Sequence, residues 1–380
     1  MPAGLSHLAL HTYAFFDAAE AFVFLGGYAS AAAYCAMTAS GRVTQAHGRL
    51  FFLKPDGEIH RGFLLTAALM GLCGLAIVVL HIHTPVLTYT HAPLLLVRPI
   101  QTLLNIATRR CQPDLAAVLP MCIGFAPCVP LVAPVVRRLP ATSLLASLAS
   151  WLCAPALAHL LPGAAPIHGS FDPFAWQLMF MLGTLCRLHP VSVVFQASRP
   201  GLRLTWIALA VALAFAAYKL LIEDQPEPSY LKQNLSSLRV VSFVSVVWLV
   251  AQLSRLGWID RLASALPPVV TVGRQRVTCF VWGTLISIVA HTVLQVAAPA
   301  FHTRTQAVAV ALLADLLTIA AVLLIAIATA KLKANRPILR RRQHRTVRPA
   351  TQIEITPPNI SSEALMSKLG VADKLHGRRA

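Results

Sequence analysis

Charged residues are scarce in this 380-residue chain, and acidic residues are the scarcest. Asp and Glu together number 14, and all charged residues make up 12% of the chain, whereas about 25% is usual in soluble domains. Hydrophobic residues make up 57%. Because so few charged residues are not enough to cover a water-facing surface, the composition excludes a soluble globular protein.

Several motifs that carry chemistry are also missing. There is no Walker-type phosphate loop, no Gly-x-Ser-x-Gly elbow and no aromatic and basic module for nucleic acid. The eight cysteines lack metal-type spacing, and His81 and His83 are two residues apart, which does not place both on one helical face. We therefore expect no bound metal, no other bound cofactor and no nucleic-acid partner. An ATP-driven pump and a serine hydrolase become poor candidates.

Apolar runs close to the bilayer-spanning length of about 20 residues recur along the chain. They predict an all-α, polytopic transmembrane helix bundle at 1–330, followed by a basic, largely disordered tail at 331–380. The nine predicted spans are 15–37, 62–83, 114–136, 142–162, 174–195, 203–222, 236–254, 275–298 and 306–330.

Basic residues alternate between the two sides of this bundle and predict its orientation. The loops within 38–61, 137–138, 187–203 and 255–276 carry 13 Lys and Arg residues, against 7 on the opposite side, and the tail carries 12 more. Since basic loops favour the cytoplasmic face, we expect a multi-pass inner-membrane protein with a cytoplasmic C-terminus. The tail would lie near anionic headgroups of the membrane lipids.

The odd number of predicted spans would place the N-terminal segment outside. A multispan protein without a signal helix usually begins inside, so we expect one further helix upstream of Met1 and ten spans in a complete chain.

Two acidic residues lie at the predicted outer end of the first span. Asp17 and Glu20 are three residues apart and therefore share a helical face. Such a pair could bind a cation, orient a histidine or accept hydrogen bonds from a sugar hydroxyl. The alternative is a helix start at which acidic residues are favoured by the helix dipole.

Two other polar segments lie at the same predicted face. In the first segment, Asp172 and Pro173 suit the N-cap and first turn of a helix. Trp176 could be an interfacial belt residue, and the Gln177 amide within a span needs a hydrogen-bond partner. The second segment, which is either part of a site or a solvated loop, comprises Tyr230, Lys232, Gln233 and Asn234.

Five blocks of the sequence resemble the OpgC family of membrane acyltransferases, which succinylate osmoregulated periplasmic glucans. The blocks occur in family order from about residue 5 to 330, and the first and third are the most specific. They are Phe16–Leu25 with Gly27 and Tyr28; Gln112–Asp114 with Val118–Pro120; Pro173–Gln177 with Phe180 and Gly183; Asn234, Leu235, Leu238 and Arg239; and Gly273, Arg274, Phe280 and Gly283–Leu285.

The resemblance implies an acyltransferase that uses acyl-CoA, with succinyl-CoA expected, as co-substrate and donor on the cytoplasmic side. A periplasmic glucan hydroxyl would accept the acyl group on the outer side. The expected site residues are Asp17 and Glu20 in support of catalysis, Trp176, Gln177, Asn234 and Arg239 in substrate binding, and Arg274 on the donor side.

The chain departs from the family pattern at its beginning. Relatives begin with an earlier helix that carries an Arg-Gly pair and a histidine regarded as the general base. This sequence starts after that helix, so we expect the presumed base to be absent from the chain and the polypeptide as given to be inactive.

Two other functions stay open. A proton-coupled secondary transporter could use Asp315 and His291 within the last two spans for ion coupling, although single polar groups between helices are as often packing residues. A non-catalytic truncated or accessory membrane protein would fit the missing helix.

Overall fold

The structure is a computed structural model that describes residues 14–39, 53–82, 97–98, 100–102, 105, 118–160, 171–221, 232, 234–300 and 303–334. Contacts between Cα atoms group the chain into two units, Met1–Lys331 and Leu332–Ala380. The helix bundle belongs to the first unit. Most of the predicted tail, from 335 onward, lies outside the described residues.

The described residues form fourteen α-helices, two short 3-10 turns and no strand, which confirms the predicted all-α fold. In chain order the helices are α1 (Ala18–Ala39), α2 (Leu53–Val79), α3 (Val118–Phe125), α4 (Val129–Arg138), α5 (Pro140–Leu152), α6 (Ala154–Leu160), α7 (Pro173–Leu188), α8 (Val193–Ala197), α9 (Arg199–Leu221), α10 (Ser237–Arg255), α11 (Trp258–Ala265), α12 (Pro267–Arg274), α13 (Arg276–Ala297) and α14 (Arg304–Ala334).

Seven stretches of helix within the described residues are long and apolar enough to cross a membrane. They are Ala18–Ala39, His60–Val79, Met121–Arg138, Arg199–Leu221, Ser237–Arg255, Val277–Ala297 and Thr305–Lys333. Each overlaps one predicted span, so the structure supports a membrane protein with several apolar helices. The total of nine or ten spans stays a prediction.

The structure differs from the prediction at the spans 142–162 and 174–195, where proline interrupts the helix. Pro155 cannot donate the hydrogen bond to the Trp151 carbonyl that an unbroken helix would need, and α5 ends at Leu152. Pro190 disfavours a helical His189, so α7 ends at Leu188 after 16 residues. Each predicted span is therefore a pair of shorter helices.

The tightest helix pair is α1 with α7, and glycine makes its close approach possible. A Cβ atom on Gly27 would collide with the Phe180 carbonyl oxygen, and a Cβ atom on Gly183 would collide with the Phe24 carbonyl oxygen. The two Phe-x-x-Gly segments thus lie backbone against backbone. Small residues allow this approach in membrane bundles, where dispersion contacts drive helix association.

The α1–α7 pair lies at the centre of the main hydrophobic core. Val23, Trp176, Met179 and Phe243 from α1, α7 and α10 are almost fully buried there. A second cluster, with Phe63 among its members, packs α2 against α3 and α13.

The N-terminal ends of α1, α7 and α10 lie at one end of this core. The Asp17 carboxylate contacts Lys232, and the Trp176 indole contacts the backbone of the same lysine. The C-terminal end of α9 joins them, since Lys219 lies over the Phe15 ring at 4.8 Å. The described residues of the polar segments that the sequence predicted at one face therefore meet in the structure, and Tyr230 and Gln233 lie outside the described residues.

Candidate functional site

Asp17 and Glu20 form the N-terminal cap of α1. The Asp17 Oδ1 atom accepts a hydrogen bond from the Ala19 N–H at 2.8 Å, and the Glu20 Oε2 atom accepts one from the Asp17 N–H at 3.0 Å. This reciprocal arrangement is a capping box, in which side chains satisfy backbone donors that have no partner within the helix. The helix-start interpretation of this acidic pair is confirmed.

The same pair also forms ion pairs with residues from the other half of the chain. The Arg239 Nε atom donates to Glu20 Oε1 at 2.6 Å, with Glu20 fully buried and Arg239 only 4% exposed. Separating two buried charges would leave each of them without water or a counter-charge, which is strongly unfavourable. The pair fixes α10 against the start of α1.

Asp17 forms the more accessible part of this cluster. Its Oδ2 atom lies 2.5 Å from Lys232 Nζ and 3.4 Å from Arg239 Nη2, and the side chains of Asp17 and Lys232 are 26% and 40% exposed. Burial raises the pKa of Asp17, but Lys232, the Ala19 N–H and Arg239 outweigh it and lower the pKa to about 2. The carboxylate is therefore ionised at neutral pH.

Two tryptophans hold the segment that carries Lys232. The Trp176 indole N–H donates to the Lys232 carbonyl oxygen at 3.2 Å, and the Trp151 indole N–H donates to the Leu235 carbonyl oxygen at 2.9 Å. Leu235 is fully buried and has a φ of 48°, a left-handed conformation that costs a non-glycine residue energy. The indole hydrogen bonds and burial hold the turn in this conformation.

The start of α7 lies beside this segment and is fixed by its own cap. Asp172 accepts a hydrogen bond from the Phe174 N–H at 2.8 Å, which confirms the predicted N-cap. Phe171 packs on Trp176 with 4.5 Å between ring centroids, and Lys232 Nζ lies 6.0 Å from the Phe171 centroid. Burial raises the pKa of Asp172, and the backbone hydrogen bonds that its carboxylate accepts offset part of this rise.

The family comparison accounts for most of the chain. The model of the OpgC protein family matches residues 2–334. The chain belongs to the OpgC family. The comparison with curated proteins and the comparison with solved structures each found no match.

The structure of this OpgC-family chain brings together three of the predicted site residues, Asp17, Glu20 and Arg239. Asn234 lies exposed in the turn beside them, after Lys232. Lys232, Asp17, Glu20 and Arg239 are called the outer cluster below.

Trp176 and Gln177 occupy structural positions. The Trp176 ring is fully buried, so a sugar could not stack on it in this structure. Gln177 forms two hydrogen bonds with Ser147 on α5. Its Oε1 atom accepts from the Ser147 hydroxyl at 2.8 Å, and its Nε2 atom donates to the Ser147 carbonyl oxygen at 2.7 Å. The need of this amide for a partner is thereby met inside the protein.

Arg274 is not part of the outer cluster. It lies exposed at the end of α12, which follows the C-terminal end of α10, whereas Arg239 lies in the first turn of α10. Its donor-side role stays a prediction. His291 lies exposed on α13 and Asp315 lies half-buried on α14, and neither takes part in the ion pairs of the outer cluster.

Sequence reasoning missed Lys232 and Trp151 as site residues. Lys232 lay in a polar segment that we noted, but nothing in the local pattern linked it to Asp17, 215 positions earlier in the chain. Trp151 looked like an ordinary apolar residue within a predicted span. Among the described residues, no group of three or more His, Cys, Asp or Glu side chains could hold a metal ion.

Proposed function

We propose that the full-length protein acts as a membrane acyltransferase that moves an acyl group from acyl-CoA to hydroxyl groups of a periplasmic glucan. Membership of the OpgC family over residues 2–334 is the observation that carries the proposal. Succinyl-CoA is the proposed donor, because the OpgC-type enzymes that the sequence blocks resemble transfer succinyl groups.

Asp17 and Lys232 are the proposed contacts of the acceptor sugar. They are the more exposed members of the outer cluster, and together they offer hydrogen-bond acceptors and donors within 2.5 Å of each other. Sugar hydroxyls both donate and accept hydrogen bonds, so they fit such a pair. The exposed Asn234 amide would add a further polar group beside it.

Glu20 and Arg239 would support these contacts without touching the sugar. Their side chains are buried, and Arg239 lies between both carboxylates, with its Nη2 atom 3.4 Å from Asp17 Oδ2. A site held by buried charge pairs keeps its geometry while the substrate binds.

The proposed step is an ordinary acyl transfer. The sugar oxygen forms a bond to the thioester carbonyl carbon, the carbon–sulfur bond breaks, and CoA leaves as a thiolate. A base takes the hydroxyl proton. Asp17 is a poor candidate for that base, because its pKa of about 2 makes it a weak proton acceptor, and we assign it to binding the hydroxyl.

The donor would bind at the opposite end of the bundle. CoA carries phosphate groups, for which arginine is a suitable partner, and Arg274 is exposed at the end of α12. We propose that Arg274 receives a phosphate of the donor.

The test is to express the full-length gene product in a bacterial strain that lacks its own glucan acyltransferase. The expected result is that periplasmic glucans gain negative charge, measured by anion-exchange chromatography, and that mass spectrometry detects an added succinyl group. Asp17→Asn should reduce the modification, whereas the exposed Asp260→Asn should not. Neutral glucans despite normal amounts of protein in the membrane would contradict the proposal.

A further inference from the structure

The segment between α10 and α13 joins two helices of membrane-spanning length, Ser237–Arg255 and Val277–Ala297. It consists of α11 and α12, and neither helix has a buried side chain. Because a span leaves the membrane before the segment and another enters after it, the segment lies at a membrane surface if both neighbours cross.

The apolar side chains of α11 lie on one side of the helix. At 3.6 residues per turn, Trp258, Ile259 and Leu262 fall on one face, and Asp260, Arg261 and Ser264 fall on the other. Trp258 and Leu262 are 59% and 58% exposed, so the protein leaves this face uncovered. An amphipathic helix with Trp and Leu on one face and Arg on the other is typical of a helix that lies in a membrane interface.

A glycine turn sets the direction of α11. Gly257 has a φ of 73° and donates its N–H to the Ser254 carbonyl oxygen at 3.0 Å, which ends α10 and starts α11 one residue later. Glycine adopts this left-handed conformation without strain. The chain therefore breaks its helical path just after the last turn of α10, where a span would leave the bilayer.

The charges of the segment fit an anionic surface. Arginine occupies positions 255, 261, 274 and 276, whereas Asp260 is the one acidic residue in this stretch of sequence. Basic residues close to the bilayer are attracted to anionic lipids, by about 1 kcal/mol each.

We propose that α11 and α12 form a lipid-binding surface that lies flat in the headgroup region of an anionic bilayer. Trp258, Ile259 and Leu262 insert to the level at which the acyl chains begin. Arg261 contacts the phosphates of anionic phospholipids. This surface is separate from the outer cluster, and the proposal does not depend on acyl transfer.

The test places an environment-sensitive fluorescent amino acid at Leu262 or, as the matched control on the opposite face of the same helix, at Ser264. The full-length protein is reconstituted in vesicles of phosphatidylcholine with or without phosphatidylglycerol, and each vesicle type also contains lipid with a nitroxide quencher near the headgroup. We expect a blue-shifted emission at position 262 and several-fold stronger quenching there than at 264. Phosphatidylglycerol should increase the quenching at 262, and Arg261→Gln should remove most of that increase.

A second measurement needs no inserted probe. Brominated lipid should quench part of the tryptophan fluorescence of the unmodified protein, and Trp258→Phe should remove part of that quenching. Equal, water-like emission at 262 and 264 would overturn the proposal, and so would quenching that is identical with and without phosphatidylglycerol. Protection of position 262 by a second copy of the chain, seen as a cross-linked dimer without lipid quenching, would overturn it as well.

Discussion

Glu20 and Arg239 are 219 residues apart in the chain, and yet the Arg239 Nε atom donates a hydrogen bond to the Glu20 carboxylate at 2.6 Å. Glu20 also accepts the backbone N–H of Asp17, so one buried carboxylate closes the cap of α1 and binds the first turn of α10. Asp17, held by both neighbours, remains the partly exposed member of the group. A structural ion pair thus positions the carboxylate that we assign to the acceptor sugar.

Removing one charge of the buried pair should strongly destabilise the protein. In Arg239→Gln, the Glu20 carboxylate stays buried without its counter-charge, which typically costs about 3 to 5 kcal/mol. Thermal unfolding of the purified protein in detergent measures the effect. Arg261→Gln removes an exposed arginine and is the control. A loss for Arg239→Gln no larger than that for Arg261→Gln would contradict the assignment of a buried ion pair.

The charge of Asp17 should stabilise the fold over the whole neutral pH range. The pKa is about 2 in the folded protein against a reference value of 3.8, and a group with a lowered pKa stabilises the fold above its unfolded pKa. That contribution is lost as the pH falls through about 2. Asp17→Asn removes the charge and keeps a good N-cap residue.

We therefore expect the difference in melting temperature between the wild type and Asp17→Asn to stay constant from neutral pH to about pH 4 and to shrink only in stronger acid. A difference that stays constant down to about pH 2 would show that the pKa of Asp17 is not lowered, and a difference that changes between pH 7 and about pH 5 would show that it is raised.

The two indole hydrogen bonds should control the mobility of Lys232. Trp151→Phe keeps an aromatic ring but leaves the buried Leu235 carbonyl without the indole N–H as its donor, a loss of about 1 to 3 kcal/mol. Labelling with an amine reagent, followed by mass spectrometry of Lys232, should proceed faster in this variant. Trp206→Phe, at a ring that is 70% exposed, should leave the labelling rate unchanged. Equal rates in all three proteins would contradict a role of Trp151 in holding the segment.

Adding a side chain at Gly27 or Gly183, where α1 and α7 lie backbone against backbone, should destabilise the protein. Gly27→Ala and Gly183→Ala would each force the two backbones apart, and overpacking of this kind typically costs about 1 to 3 kcal/mol. Gly124→Ala is the helical control, because a Cβ atom at that position meets nothing within 4 Å. Thermal unfolding again provides the measurement, and equal stability of Gly27→Ala and Gly124→Ala would show that the helices do not approach this closely.

Much of the fold could be predicted from the sequence, because span length and apolar composition are local properties. The structure differs from continuous helices at 142–162 and 174–195, where hydropathy continues across Pro155 and Pro190 although the helices do not. A proline removes a hydrogen bond without making the segment less apolar, so a count of apolar residues does not detect the break.

The candidate site could be predicted only in part. Asp17 and Glu20 stood out because carboxylates are costly in a span, and Arg239 stood out through the family resemblance. The pairing of Glu20 with Arg239 and the contact of Lys232 with Asp17 depend on the packing of α1 against α10, which no local pattern specifies. Trp176 is predicted from the sequence to bind substrate or to lie in an interfacial belt, whereas its ring is fully buried and its indole N–H donates to the Lys232 carbonyl oxygen.

The most direct test of the account is a kinetic comparison of the purified full-length protein with Asp17→Asn in lipid vesicles, with succinyl-CoA as donor and glucan as acceptor. We predict that the wild type releases CoA only when glucan is present, and that Asp17→Asn raises the KM for glucan at least tenfold, about 1.4 kcal/mol of lost binding, with an unchanged KM for succinyl-CoA. An unchanged KM for glucan in Asp17→Asn, with transfer otherwise normal, would contradict the assignment of the outer cluster to the acceptor.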